Sequence, residues 1–261
     1  MIRKAAVLLW VVALAGVFAR AEEWRKTYAI TTRASVRINA NDAEIEVRAS
    51  DAKQVEAVIS YSGYKTDPPR IEDHQTGDEV SVEIHRAAHH FCIGICNQSM
   101  HIDLRVPRDS DLNLHTGDGA IRVQDVNGNL RFETGDGNVE AHSISGQINA
   151  DTHDGHVRLR GRFDALDLHT GDGNIEVDAE AGSKIASLWT LRSGDGRIDL
   201  RLPSDFAADL DAHTGDGHVS LDFPVTVSGS LKQNSIRGKM NGGGGSLELR
   251  TGDGDIRVEK I

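Results

Sequence analysis

Several things are scarce in this chain, and each scarcity closes off a class of protein. Aromatic residues make up 5% of it, and beyond the N-terminal segment Trp24 and Trp189 are the remaining tryptophans. Aromatic platforms for sugars are therefore hard to build. Positive charge is short as well: 29 Lys and Arg stand against 40 Asp and Glu, a net charge of −11. Nucleic-acid binding depends on neutralising phosphates with Lys and Arg, and attraction to anionic lipid depends on basic clusters. Both are disfavoured. Beyond the first twenty residues no run is apolar enough to cross a bilayer, which takes roughly 20 residues. Cysteine occurs twice, as Cys92 and Cys96, and neither follows the N-terminal apolar run, so a lipoprotein anchor is unsupported.

What the N-terminus does have is an address. Arg3 and Lys4 precede an apolar stretch from Ala5 to Phe18, and Ala19-Arg20-Ala21 supplies the small-x-small pattern accepted by signal peptidase. Residues 1–21 are expected to be an export signal, with an uncleaved anchor as the alternative. Cleavage would leave 240 residues and remove Arg3, Lys4 and Arg20, taking the charge from −11 to −14. In an exported protein two close thiols point to a disulfide, Cys92 to Cys96. A metal reading stays open, because His89, His90 and His101 lie nearby.

The main fact is a repeat. His115-Thr116-Gly117-Asp118-Gly119 recurs as a theme at Thr134, Thr152, Thr170, Ser193, Thr214 and Thr251. The corner glycines are Gly117 and Gly119, Gly135 and Gly137, Gly171 and Gly173, Gly194 and Gly196, Gly215 and Gly217, and Gly252 and Gly254; His153 replaces the first glycine of the third copy. The first four copies are 18 residues apart, and later ones carry insertions.

Aligning the copies gives four apolar columns. The first runs Leu112, Leu130, Ile148, Leu166, Trp189, Leu210, Leu247, and the third Ile121, Val139, Val157, Ile175, Ile198, Val219, Ile256. Polar residues lie between the columns, the period-2 signature of strands with one buried face. The apolar phase slips by one across each Thr-Gly-Asp-Gly, so the chain must bend there. Glycine reaches positive φ cheaply, and Asp is expected to accept hydrogen bonds from backbone N–H groups just ahead of it.

A solenoid of stacked coils and a meander of hairpins both fit one bend per 18 residues. The outward column Arg122, Glu140, Arg158, Glu176, Asp199, Ser220, Arg257 favours stacking, since its strictly spaced members alternate in sign. The expected fold is all-β, a single-stranded β-helix-like solenoid of 18–23-residue coils. Residues 22–101 are expected to form irregular opening coils with the Cys/His insertion, and residues 102–261 the regular repeat. Asn41-Asp42 and Ser50-Asp51 are taken as bends, and Ser228 to Gly245 as a distorted coil.

Leu104-Arg105-Val106-Pro107 leading to Leu112-Asn113-Leu114, the repeated Gly-Asp-Gly corners, and Gly238-Lys239-Met240-Asn241-Gly242-Gly243 before Leu247-Glu248-Leu249 together resemble one family. It is a bacterial domain of unknown function, labelled as an adhesin, that occurs in many envelope proteins. The resemblance is strongest over residues 102–258 and implies a β-solenoid at or outside the cell envelope.

Chemistry is less well supported by the residues. Stacked corner carboxylates would lie ~5 Å apart, near the separation of a retaining glycosidase pair. Repeated copies share one environment, though, whereas a catalytic pair needs two. Asp118, Asp136, Asp154 and Asp172 are also calcium candidates, but one Asp per coil offers few ligands, and structural turns are the plainer account. No local nucleophile–base motif is present, and the Gly-Asp-Gly corners lack the Lys-Ser/Thr of a phosphate loop. The expectation is an exported, non-enzymatic, adhesin-like binding or structural module with no cofactor. Its partner would be an envelope component, glycan or protein, not nucleic acid. The alternative is a polysaccharide hydrolase or lyase on a β-helix.

Overall fold

The computed structural model describes residues 22–64, 68–85, 98–227 and 232–261. Residues 1–21, expected to be an export signal, and both cysteines lie outside them. Every regular element among the described residues is a β-strand, and no helix there is long and apolar enough to cross a membrane.

The repeat folds as a solenoid. Each 18-residue copy supplies one strand before its corner and one after it, and equivalent residues of successive copies stand side by side in parallel. Leu130 pairs with Leu112 and with Ile148, Ile148 with Leu166, and Leu166 with Trp189. After the corner, Ile121, Val139, Val157, Ile175 and Ile198 pair in the same way. Thr134, Thr152, Thr170 and Ser193 fall in one column. The meander is excluded, because Thr116 does not pair across its corner with Ile121. The four apolar columns enter one continuous core, whose largest member, Trp189, packs against Phe163 and Phe206. Full burial of each such side chain contributes about 1.5–3 kcal/mol, so every added coil carries its own stabilisation.

The order of coils in space differs from their order in sequence at both ends. Ala34–Ala40 and Glu44–Ser50 form a coil that lies between Glu79–His85 with Ser99–Pro107 on one side and Ser110–His115 with Ile121–Gln124 on the other. At the far end the last coil, Gly245–Thr251 and Ile256–Lys260, slides in between Leu188–Ser193 with Ile198–Leu202 and Ala208–Thr214 with Val219–Leu221. Two segments expected to be coils are instead strands that pair antiparallel with their neighbours. Gln54–Ser62 pairs with Glu22–Ala29 and Ser99–Pro107, and Ser235–Met240 pairs with Ala208–Thr214 and Val225–Val227.

The insertions repair the charge column. Its spatial order is Asp103, Glu46, Arg122, Glu140, Arg158, Glu176, Asp199, Arg257, Ser220. Arg257, distant in sequence, now sits beside Asp199 at 3.9 Å. Arg158 lies 2.9 Å from Glu176 and 3.5 Å from Glu140, and its guanidinium holds the Glu176 carboxyl below the usual range.

Candidate functional site

The corners are the first candidates, and their geometry assigns the work to other residues than expected. The corner hydroxyls point into the core and are buried. Thr152 Oγ1 donates to Gly135 O or Gly137 O, both at 3.0 Å on the preceding coil, and accepts from Gly155 N–H at 3.2 Å. Thr170, Ser193 and Thr214 repeat this pattern. The hydroxyl therefore clamps its own turn to the neighbouring coil. The aspartates do not cap the turns: all seven corner carboxylates are exposed. No three of Asp118, Asp136, Asp154 and Asp172 gather within 4.8 Å of one another. In the Thr152, Thr170, Ser193 and Thr214 corners the turned-in hydroxyl, not the carboxylate, accepts from the N–H of the second glycine.

The corner glycines are also needed for a different reason. None has a positive φ. A Cβ on Gly137 would instead stand 2.0 Å from Gly119 O, and one on Gly173 would stand 1.9 Å from Gly155 O. Backbones of adjacent coils approach there more closely than any side chain allows. Positive φ belongs to the second bend, at Asp125 (62°) and Ser143 (55°), one coil apart. At Asp125 that bend immediately precedes the strand that opens with Asn127-Gly128-Asn129.

A surface groove lies elsewhere. With a volume of about 670 Å³, it runs across five consecutive coils on the outer face of the strands that precede the corners. Its floor is two ladders of side chains that stand in register. Asn129, Gln147 and Ala165 form one, and Arg131, Asn149, Asp167 and Thr190 the other. Asn149 Nδ2 donates to Asp167 Oδ2 at 3.1 Å, and Arg192 and the exposed Leu188 close one end. Carboxamides, a guanidinium and a hydroxyl present donors and acceptors in fixed rows set by the strand spacing. Asp167 is the one carboxylate among the lining residues, so the two-carboxylate geometry of glycoside hydrolysis is not met within the groove. Sequence reasoning missed these residues. The signal lies in the outward columns before the corner, where Asn129 and Gln147, and Arg131, Asn149 and Asp167, recur at the 18-residue spacing.

With fold and groove described, comparisons with known proteins place the chain. No curated protein matches it. Among solved structures, a candidate adhesin from Bacteroides fragilis NCTC 9343 is 13% identical, with a TM-score of 0.50 over 94% of this chain and 100% of that one. A candidate cell adhesion protein from Clostridium sporogenes ATCC 15579 is 16% identical, with a TM-score of 0.44 over 93% and 100% of the two chains. At these identities the likeness is one of fold. The model of the Toastrack DUF4097 family matches residues 34–185 and again 110–259, two overlapping spans that meet in the regular coils, and the chain belongs to that family.

Proposed function

We propose that this chain is an exported, non-enzymatic, adhesin-like binding module of the envelope or cell exterior, and that its ligand lies along the groove over residues 129–192. The carrying observation is the pair of in-register polar ladders, Asn129–Gln147 and Arg131–Asn149–Asp167, on rigid stacked strands. Rows of fixed amides and charges suit an extended polar ligand that meets several coils at once, and a glycan or polar peptide of the envelope has that form. The single carboxylate in the groove favours binding over hydrolysis.

A glycan array and a pull-down from envelope extract test this, using the wild-type chain and a Gln147→Ala/Asn149→Ala variant. Both positions face solvent or are half-buried, so the fold should survive the change. Retention of one ligand class by the wild type and its loss in the variant is the expected result. Equal capture by both would remove the groove from the function. Cleavage of a bound polysaccharide would replace the binding reading with the hydrolase or lyase one.

A further inference from the structure

We infer that Glu46, His101 and Asp103 form a binding site for a first-row divalent metal ion of the Zn²⁺ type. The three sit on neighbouring parallel strands that follow the corner, away from the groove, with Glu44 opposite His101 and Glu46 opposite Asp103. The residues between them, Ile45, Ile102 and Leu104, are buried in the core. The ligand-bearing side chains are therefore all turned outward by the strand alternation, and the backbone that carries them is held by the solenoid.

The two ring nitrogens of His101 face different partners. Nε2 lies 3.3 Å from Asp103 Oδ1 and 3.8 Å from Glu46 Oε2, while Nδ1 lies 3.4 Å from Glu44 Oε2. All three distances exceed the usual 2.7–3.2 Å range of N–H···O hydrogen bonds. The two from Nε2 do suit shared coordination: ligand atoms about 2.1 Å from a tetrahedral Zn²⁺ stand about 3.4 Å apart. One atom each from Glu46, His101 and Asp103 lie within 4.8 Å of one another. Glu44, 3.4 Å from Nδ1, stands on the side of the ring where carboxylates commonly take the outer part toward a metal-bound imidazole. The second oxygens of Glu44 and Glu46 are engaged by Arg122 and Arg48, which aims the free oxygens at His101.

Charge points the same way. Elsewhere in this column acid and base mostly alternate, and where Glu176 meets Asp199, Arg197 stands 3.5 Å from Asp199. At Glu46 and Asp103 two carboxylates face each other, and among the described residues no Lys or Arg is paired with Asp103. Like charges directly opposite in a sheet are destabilising, and a cation between them removes that penalty. A nitrogen donor among carboxylates favours Zn²⁺ and its neighbours over Ca²⁺, which takes oxygen ligands in larger number. Three protein ligands at a half-exposed surface leave room for water or a ligand group to complete the shell.

The test is calorimetric titration of the full chain with Zn²⁺ alone in chelator-free buffer, together with the melting temperature with and without the metal. His101→Gln and Asp103→Asn are compared with a Cys92→Ser/Cys96→Ser double variant, because thiols elsewhere could also take zinc. The wild type and the double variant should each bind one Zn²⁺ at this site and melt higher in its presence. His101→Gln and Asp103→Asn should melt like wild type without metal and bind at least about tenfold more weakly, the loss that even outer partners of a metal site produce. Absence of binding by the wild type, unchanged binding by His101→Gln, or complete loss in the cysteine double variant would each overturn the site.

Discussion

If corner glycines are required by the closeness of the coils, then in the second corner, where Gly135 has more room than Gly137, replacing the second glycine should be far worse than replacing the first. Gly137→Ala places a Cβ 2.0 Å from Gly119 O, 2.5 Å from Gly119 C and 2.7 Å from Thr134 Oγ1. The first two are backbone atoms of a paired coil, so the coils must part locally. Overpacking of this kind costs about 1–3 kcal/mol. Parting the coils also weakens the Thr134 Oγ1 contacts to Gly119 O at 2.9 Å and Gly117 O at 3.1 Å, a further ~1 kcal/mol. The stiffer unfolded chain returns about 0.4–1 kcal/mol. The net loss is roughly 1–3.5 kcal/mol, or about 2–14 °C in melting temperature for a chain of this size.

Two controls separate crowding from backbone conformation. Gly135→Ala meets Gly117 O at 2.8 Å, a milder overlap, at a position where the third copy already carries His153. Gly77 has φ +60° with nothing within 4 Å, so its replacement by Ala tests left-handed strain alone, about 1–2 kcal/mol. Chemical denaturation of the three variants should rank Gly137→Ala as clearly the least stable. A Gly137→Ala midpoint no lower than that of Gly77→Ala would refute the crowding account and restore φ as the reason for glycine.

Thr152→Val keeps shape but removes the hydroxyl between Gly135 O, Gly137 O and Gly155 N; denaturation should show a loss of about 1–3 kcal/mol, largely recovered by Thr152→Ser. Asp136→Asn and Asp136→Leu should both stay within about 0.5 kcal/mol of wild type, as exposed substitutions do, and millimolar calcium should not change the melting of any of them. Asp78 accepts hydrogen bonds from Thr31 N–H, from the Thr32 hydroxyl and from two further Thr31 and Thr32 groups, which lower its pKa from 3.8 to about 2. Its contribution is therefore complete above about pH 4 and is lost as pH falls toward 2, and Asp78→Asn should flatten the acid limb of the stability curve in that window. Deleting residues 245–261 removes a coil from inside the stack, so proteolysis should show the segment from Leu188 onward opening together, not merely a shorter chain with an intact end.

The regular coils were legible because inward and outward positions follow from alternation, a local property. Eighteen-residue spacing and four apolar columns were enough to place Leu130 beside Leu112 and Ile148. The buried position of the corner hydroxyl was legible too, since Thr116 shares the phase of Leu114; its clamp on the neighbouring coil went unread because Asp is the more familiar turn residue. Crowding at Gly137 depends on the separation of two backbones, which no single coil reveals. Residues that meet only through coil order, such as Glu46 and Asp103, were out of reach for the same reason. One hint of that order was present. In sequence the alternating column decays to Asp199, Ser220, Arg257, and placing the last coil before the sixth puts Arg257 next to Asp199.

That exchange of order at both ends has a physical logic. A parallel stack leaves two open edges of unpaired N–H and C=O groups, and such edges recruit other chains unless they are blunted. A solenoid also needs terminal units unlike its interior ones. Here the coils nearest the two chain termini, 34–50 and 245–260, are covered on both sides. The outermost strands at the two ends are blunted differently. Glu22–Ala29 and Arg70–Thr76 carry mixed charges along their length, and Val219–Leu221 and Val225–Val227 are only three residues long. Val219 and Leu221 are accordingly half-buried where their counterparts in inner coils are fully buried. Setting a well-formed coil inward and leaving a charged or truncated strand outside keeps the largest apolar surface covered, and it confines the incomplete packing to strands too short or too charged to template another chain.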